Sequence, residues 1–84
     1  MKFRVSVQVL PRKGILDPQG KTVTDALRTL GFAHVDEVHV GRHLVIDMRA
    51  DSAGAAEADV RSMCAKLLAN PVTEDFVIAA VDAA

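Results

Sequence analysis

The sequence predicts an α+β fold, a four-stranded antiparallel sheet with two helices on one face. Three observations carry that expectation. Apolar residues recur with a strand period or a helix period in the order strand, helix, strand, strand, helix, strand. The helical stretches are punctuated by Asp17-Pro18 and Gly31 for the first and by Asn70-Pro71 for the second. Crossovers between parallel strands are right-handed, which puts both helices on the same side of the sheet and leaves the other side open.

The first strand spans about Lys2 to Val9. Phe3, Val5, Val7 and Val9 point one way and Lys2, Arg4, Ser6 and Gln8 the other. Pro11 ends it. The stretch Gly14-Ile15-Leu16-Asp17-Pro18-Gln19-Gly20-Lys21 then opens the first helix. Asp17 suits the N-cap, where its carboxylate accepts from a first-turn amide, and Pro18 suits the first helical position. Gly20 is unusual, because glycine in a first turn costs about 1 kcal/mol relative to alanine. It implies close packing on the chain's own sheet or the approach of another chain or a phosphate. Val23, Ala26, Leu27 and Leu30 form the apolar stripe of this helix, and Gly31 is the left-handed terminator that lets Phe32 fold back.

Residues 36–49 read as two strands joined at Gly41-Arg42-His43. Val38 and Val40 share a parity with Leu44, Ile46 and Met48, so Val40 is expected opposite Leu44 across a three-residue loop. The second helix is expected from about Ala53 to Ala69, with Ala56, Val60, Met63, Cys64 and Leu67 inward. The last strand runs from about Asp75 to Val81. There Phe76, Ile78 and Ala80 are apolar, and so are Val77, Ala79 and Val81. A strand apolar on both faces is buried on both, so Val77, Ala79 and Val81 mark a surface that a second protein covers.

These elements make one domain over residues 1–84 of ferredoxin-like order, a fold that hosts many unrelated functions. With 84 residues and no Trp or Tyr the core is modest, and an oligomer would help it. The net charge of −1 argues against nucleic acid or an anionic membrane as the main partner. The charge is uneven, +3 over residues 1–42 and −4 over 43–84, which marks two differently charged surfaces. An N-terminus of alternating polar and apolar residues is no signal peptide, no stretch is long enough to span a bilayer, and a lone Cys64 forms no internal disulfide. The expected compartment is the cytoplasm.

A search for chemistry returns little. His39 and His43 could converge across the hairpin, but nothing supplies a third ligand, and they read as exposed strand histidines. Cys64 lies on the apolar stripe and reads as core. Arg12-Lys13-Gly14 lacks the full glycine-rich phosphate loop and reads as a solvated basic loop. The open face lacks the aromatics of an RNA-binding sheet, and the first loop lacks the paired cysteines of a metal chaperone. A module that binds a small molecule or another protein survives.

The chain resembles the PurS family over nearly its whole length. The resemblance rests on Gly14 to Lys21 with Leu30-Gly31-Phe32, on Val38-His39-Val40-Gly41-Arg42, and on Lys66 to Phe76. The family often has a basic residue where His39 stands and acidic residues where Val77 and Ala79 stand. The resemblance implies the small subunit of phosphoribosylformylglycinamidine (FGAM) synthase, a ligase of purine biosynthesis that uses glutamine and ATP. It further implies a homo-oligomer, dimer or tetramer, that bridges a PurQ-like glutaminase and a large PurL-like synthase and supports ammonia transfer between them. No catalytic residue, metal or cofactor is implied for this chain, ATP and Mg being used by the partner synthase. Asp17, Pro18, Gln19, Gly20 and Lys21, with Val77, Ala79 and Val81, are the expected interface residues. The alternative is an ACT-like regulatory module that binds an amino acid or nucleotide beside the first strand–helix loop.

Overall fold

Strand β1 (Lys2–Pro11) is the centre of the molecule. It pairs antiparallel with β2 (Arg42–Arg49) on one side and with β3 (Glu74–Ala83) on the other, giving the order β2-β1-β3. Its alternation works as the sequence predicts. Val5, Val7 and Val9 are fully buried and Phe3 nearly so, while the intervening polar residues face the open side. The computed structural model describes residues 1–84.

Helix α2 (Ala53–Met63) covers the buried side. Ser52 caps it, its hydroxyl accepting from Ala55 N–H at 3.1 Å, and Ala56 and Val60 pack against the β1 valines. The helix does not continue regularly to Ala69. Residues Cys64–Leu68 form a π-helical turn, closed by Ala69 N–H donating to Cys64 O at 3.2 Å. The widened turn shifts the phase of the stripe. Cys64 stays inward, but Leu68 takes the place expected for Leu67, which is 83% exposed. Asn70-Pro71 then ends the helical chain, and the Asn70 carboxamide accepts from Val72 N–H at 3.0 Å.

Two expectations about the strands need correction. The sheet has three strands, because no hairpin forms at residues 41–43. Residues 35–41 run into β2 without a bend. A methyl group built on Gly41 would meet the Val9 carbonyl, so its bare backbone lies against the end of β1 and does not turn the chain. The second correction lies in β3. The register opposite β1 skips between Ser6 and Val7, which face Ala80 and Ile78, so Ala79 is the extra residue of a β-bulge. The bulge resets the phase. Val77 shares the open face with Ala80, opposite Gln8 and Ser6, whereas Val81 pairs with Val5 and packs on the core. Val77, Ala79 and Val81 therefore do not form one surface: Val81 packs on the core, whereas Val77 stays exposed.

Helix α1 (Pro18–Thr29) is placed unlike any sequence expectation. It packs on neither the sheet nor α2. With the segment at 35–40 it projects past the end of β1 as an arm, and the molecule measures 50 × 26 × 14 Å. Its radius of gyration is 16.2 Å, where a compact chain of this length has about 12 Å. Val23 and Leu30, expected on the buried stripe of α1, are exposed, and so is Phe32. Gly31 does terminate the helix, at φ 105°, in a Schellman arrangement in which Phe32 N–H donates to Leu27 O and Gly31 N–H to Arg28 O, both at 3.0 Å.

Candidate functional site

The arm holds the unusual residues, and its geometry begins at Asp17. That carboxylate caps α1 with one oxygen, accepting from Gly20 N–H at 3.0 Å. With the other it accepts from Val40 N–H, also at 3.0 Å, twenty-three residues away in sequence. The Gly20 and Val40 amides hold the Asp17 carboxyl below its ordinary range, and the His39 imidazole, 3.8 Å away, adds a smaller pull when charged. One side chain thus starts the helix and anchors residues 35–40 as a strap along it.

Two further residues complete the strap, and sequence reasoning missed both. Thr24, buried in mid-helix, donates its hydroxyl to Gly20 O at 2.7 Å and accepts from Val38 N–H at 2.9 Å. Arg28 donates to Val35 O at 2.9 Å and to Asp36 O at 3.0 Å. Asp17, Thr24 and Arg28 recur at seven- and four-residue steps, one face of a helix, so they meet the strap along a single line. The available signal was a threonine beside the apolar positions of α1, in register with Gly20.

Gly20 is explained by the same contact. A methyl group there would collide with the Val38 carbonyl and the Asp17 carboxylate, so the strap backbone occupies the space that glycine leaves. The bare backbone admits this chain's own strap, neither a neighbouring chain nor the sheet. Pro18 and Gln19 are exposed beside it, and Lys21 pairs with Asp25 at 3.3 Å on the surface. Between helix and strap lies an open groove of about 310 Å³ lined by Ile15, Leu16, Asp17, Lys21, Arg28 and His39. His39 sits between Asp17 and Glu37, whose carboxylate is 3.4 Å away. His39 and His43 lie along one line of chain and do not face each other across a turn.

The end of the sheet from which the arm leaves is tied separately. Arg42 donates to Leu68 O at 3.0 Å and pairs with Glu74 at 2.8 Å, and Glu74 also accepts from Asn70 N–H. Burial pushes the Cys64 thiol up, so it is a packed, protonated core group.

What these parts define is a class before a name: a small α+β interaction module. It has a sheet open on one face and at both edges, and an arm whose apolar residues lie uncovered. Residues 4–82 match the PurS family, described as phosphoribosylformylglycinamidine (FGAM) synthase. The chain is 38% identical over 76 residues to the FGAM synthase subunit PurS of Methanocaldococcus jannaschii, covering 90% of this chain and 92% of that one. PurS of Thermus thermophilus superposes with a TM-score of 0.88 at 37% identity, covering 100% of this chain and 99% of that one. A chain in the structure of PurLQS from Thermotoga maritima superposes with a TM-score of 0.83 at 27% identity, covering 93% and 95%. The chain belongs to the PurS family and is a subunit of FGAM synthase, a ligase of purine biosynthesis.

Proposed function

We propose that this chain is a homo-oligomeric bridge, dimer or tetramer, between a PurQ-like glutaminase and a PurL-like synthase in the cytoplasm. The observation that carries this reading is its superposition on a chain of the Thermotoga maritima PurLQS structure. Ammonia released at neutral pH would be protonated to ammonium and lost as a nucleophile, so a glutaminase and a synthase benefit from being held together. The bridge itself does no bond-making: ATP and Mg act in the synthase, and this chain carries no cofactor. That no helix is long and apolar enough to cross a membrane agrees with a protein working in such a complex.

The homo-oligomer is supported by the surface. Leu16, Leu30, Leu67 and Val72 are each more than 70% exposed, and the arm lies far from the chain's own core. A reconstitution tests the bridge. The synthase with ammonium should turn over without this chain, whereas glutamine-dependent turnover should require it. Full glutamine-dependent rate without this chain would refute the reading.

A further inference from the structure

Four aliphatic side chains are more than 70% exposed, and they fall in two places. Leu16 and Leu30 belong to the arm, which the homo-oligomer reading covers. Leu67 and Val72 belong to the turn that joins α2 to β3. Leu67, at 83%, is the most exposed large apolar residue of the chain, and the π-helical turn is what puts it there. Single π-turns inside helices recur at functional sites. This turn is also braced from within. Ala69 N–H donates to Cys64 O at 3.2 Å, Glu74 N–H to Asn70 O at 2.8 Å, and Val72 N–H to the Asn70 carboxamide at 3.0 Å. Arg42 closes it from β2, donating to Leu68 O and to the Glu74 carboxylate, which also accepts from Asn70 N–H. Two apolar side chains are thus held out into water on a fixed backbone.

We propose that Leu67 and Val72 are anchors for a catalytic subunit of the synthase complex, seated in an apolar pocket rimmed by carboxylates. This rests on the bridge reading above and specifies one of its surfaces. Anchors already held in place lose little conformational freedom on association, so a small contact can bind tightly. The rim follows from charge. Arg12 N–H donates to Thr73 O at 2.8 Å, which lays the loop after β1 beside the turn. The carboxylates there are taken, Asp75 by Arg12 at 3.1 Å and Glu74 by Arg42 at 2.8 Å. Lys13 in that loop and Lys66 in the π-turn have no carboxylate partner. The free charge around the anchors is therefore positive and complements an acidic rim. A second copy is the poorer occupant. It could receive the turn only in its groove between α1 and the strap, and a contact between two different surfaces repeats into a filament unless it closes as a ring. Because Arg42 joins the start of β2 to the turn, a subunit seated here also lies at the root of the arm.

The test compares the full chain with L67S/V72S. Binding to the purified synthase and glutaminase subunits, separately and mixed, is read by interferometry, with thermal melts and light scattering alongside. The double variant should melt as the native chain does, because both side chains are exposed. It should bind the subunit that receives the turn about 30-fold more weakly, the loss typical of truncated interface anchors. L67M/V72I, which keeps the apolar bulk, should bind nearly as the native chain does. K13E/K66E should slow association about tenfold at low salt and much less at high salt; an unchanged rate would overturn the acidic rim. Native-like binding of L67S/V72S to both subunits would overturn the proposal and leave the bridge intact, its contacts lying elsewhere. A native chain that binds neither subunit would overturn both. A lowered melting temperature in L67S/V72S would mean that these side chains pack within the chain, and would also overturn the proposal. A lower oligomeric state by scattering with unchanged subunit binding would assign the turn to a second copy instead.

Discussion

Replacing Thr24 by valine tests whether the strap is held as the geometry indicates. The change keeps shape and removes one hydroxyl. Thr24 is 8% exposed, so the Val38 N–H that donates to it at 2.9 Å would face a methyl group with little access to water. The Gly20 carbonyl, the other partner at 2.7 Å, keeps its regular bond within the helix ladder and loses little. An unsatisfied buried donor costs about 1–3 kcal/mol, so opening of the strap should become easier by roughly 30-fold at the middle of that range. Native-state hydrogen exchange at the Val38 amide reads this directly, and T24S, which restores the hydroxyl, should recover most of the protection. Thr22 is the control: its hydroxyl bonds only Pro18 O on the surface, so T22V should leave the Val38 amide unchanged. Unaltered Val38 protection in T24V would refute the idea that Thr24 latches the strap.

Gly20→Ala should also release the strap, because its methyl group would collide with the Val38 carbonyl; the Val38 and Val40 amides should lose protection together, and an unchanged exchange pattern would contradict the close approach. Leu67→Ser should leave thermal stability nearly unchanged, whereas Leu68→Ala should lower it by about 1–2 kcal/mol, since only Leu68 packs on the core; the opposite ranking in thermal melts would mean a regular α-helix through Ala69. Asp17 gives a pH dependence whose sign follows from its lowered pKa. Its contribution is fully present above the free-aspartate value near 3.9 and is lost as the pH falls through the lower folded value. The Val40 amide resonance should therefore titrate below about pH 4 by NMR, and Asp17→Asn should abolish that titration; a midpoint at or above 3.9 would mean the two amides do not hold the carboxylate.

Local physics made much of this protein legible from its residues alone. Alternation along β1, the Asp17-Pro18 start, the Gly31 stop and the Asn70-Pro71 break all act within a few residues, and each is found where it was expected. Family membership was also legible, because the motif blocks around Gly14–Lys21, Val38–Arg42 and Lys66–Phe76 are readable without a fold. Three features lay beyond the sequence. The π-helical turn that swaps Leu67 for Leu68 changes hydrogen-bond spacing without leaving a mark in the apolar pattern. The bulge at Ala79, which sends Val77 and Val81 to opposite faces, depends on how β3 registers against β1. The strap depends most on tertiary structure. Periodicity reports which side of a segment is apolar and not what covers it, so Val38 and Val40 fitted a closed hairpin and an extended arm equally well. The choice between them was made by long-range bonds from Asp17, Thr24 and Arg28 to backbone atoms of residues 35–40, which join α1 to the strap and carry both away from the sheet.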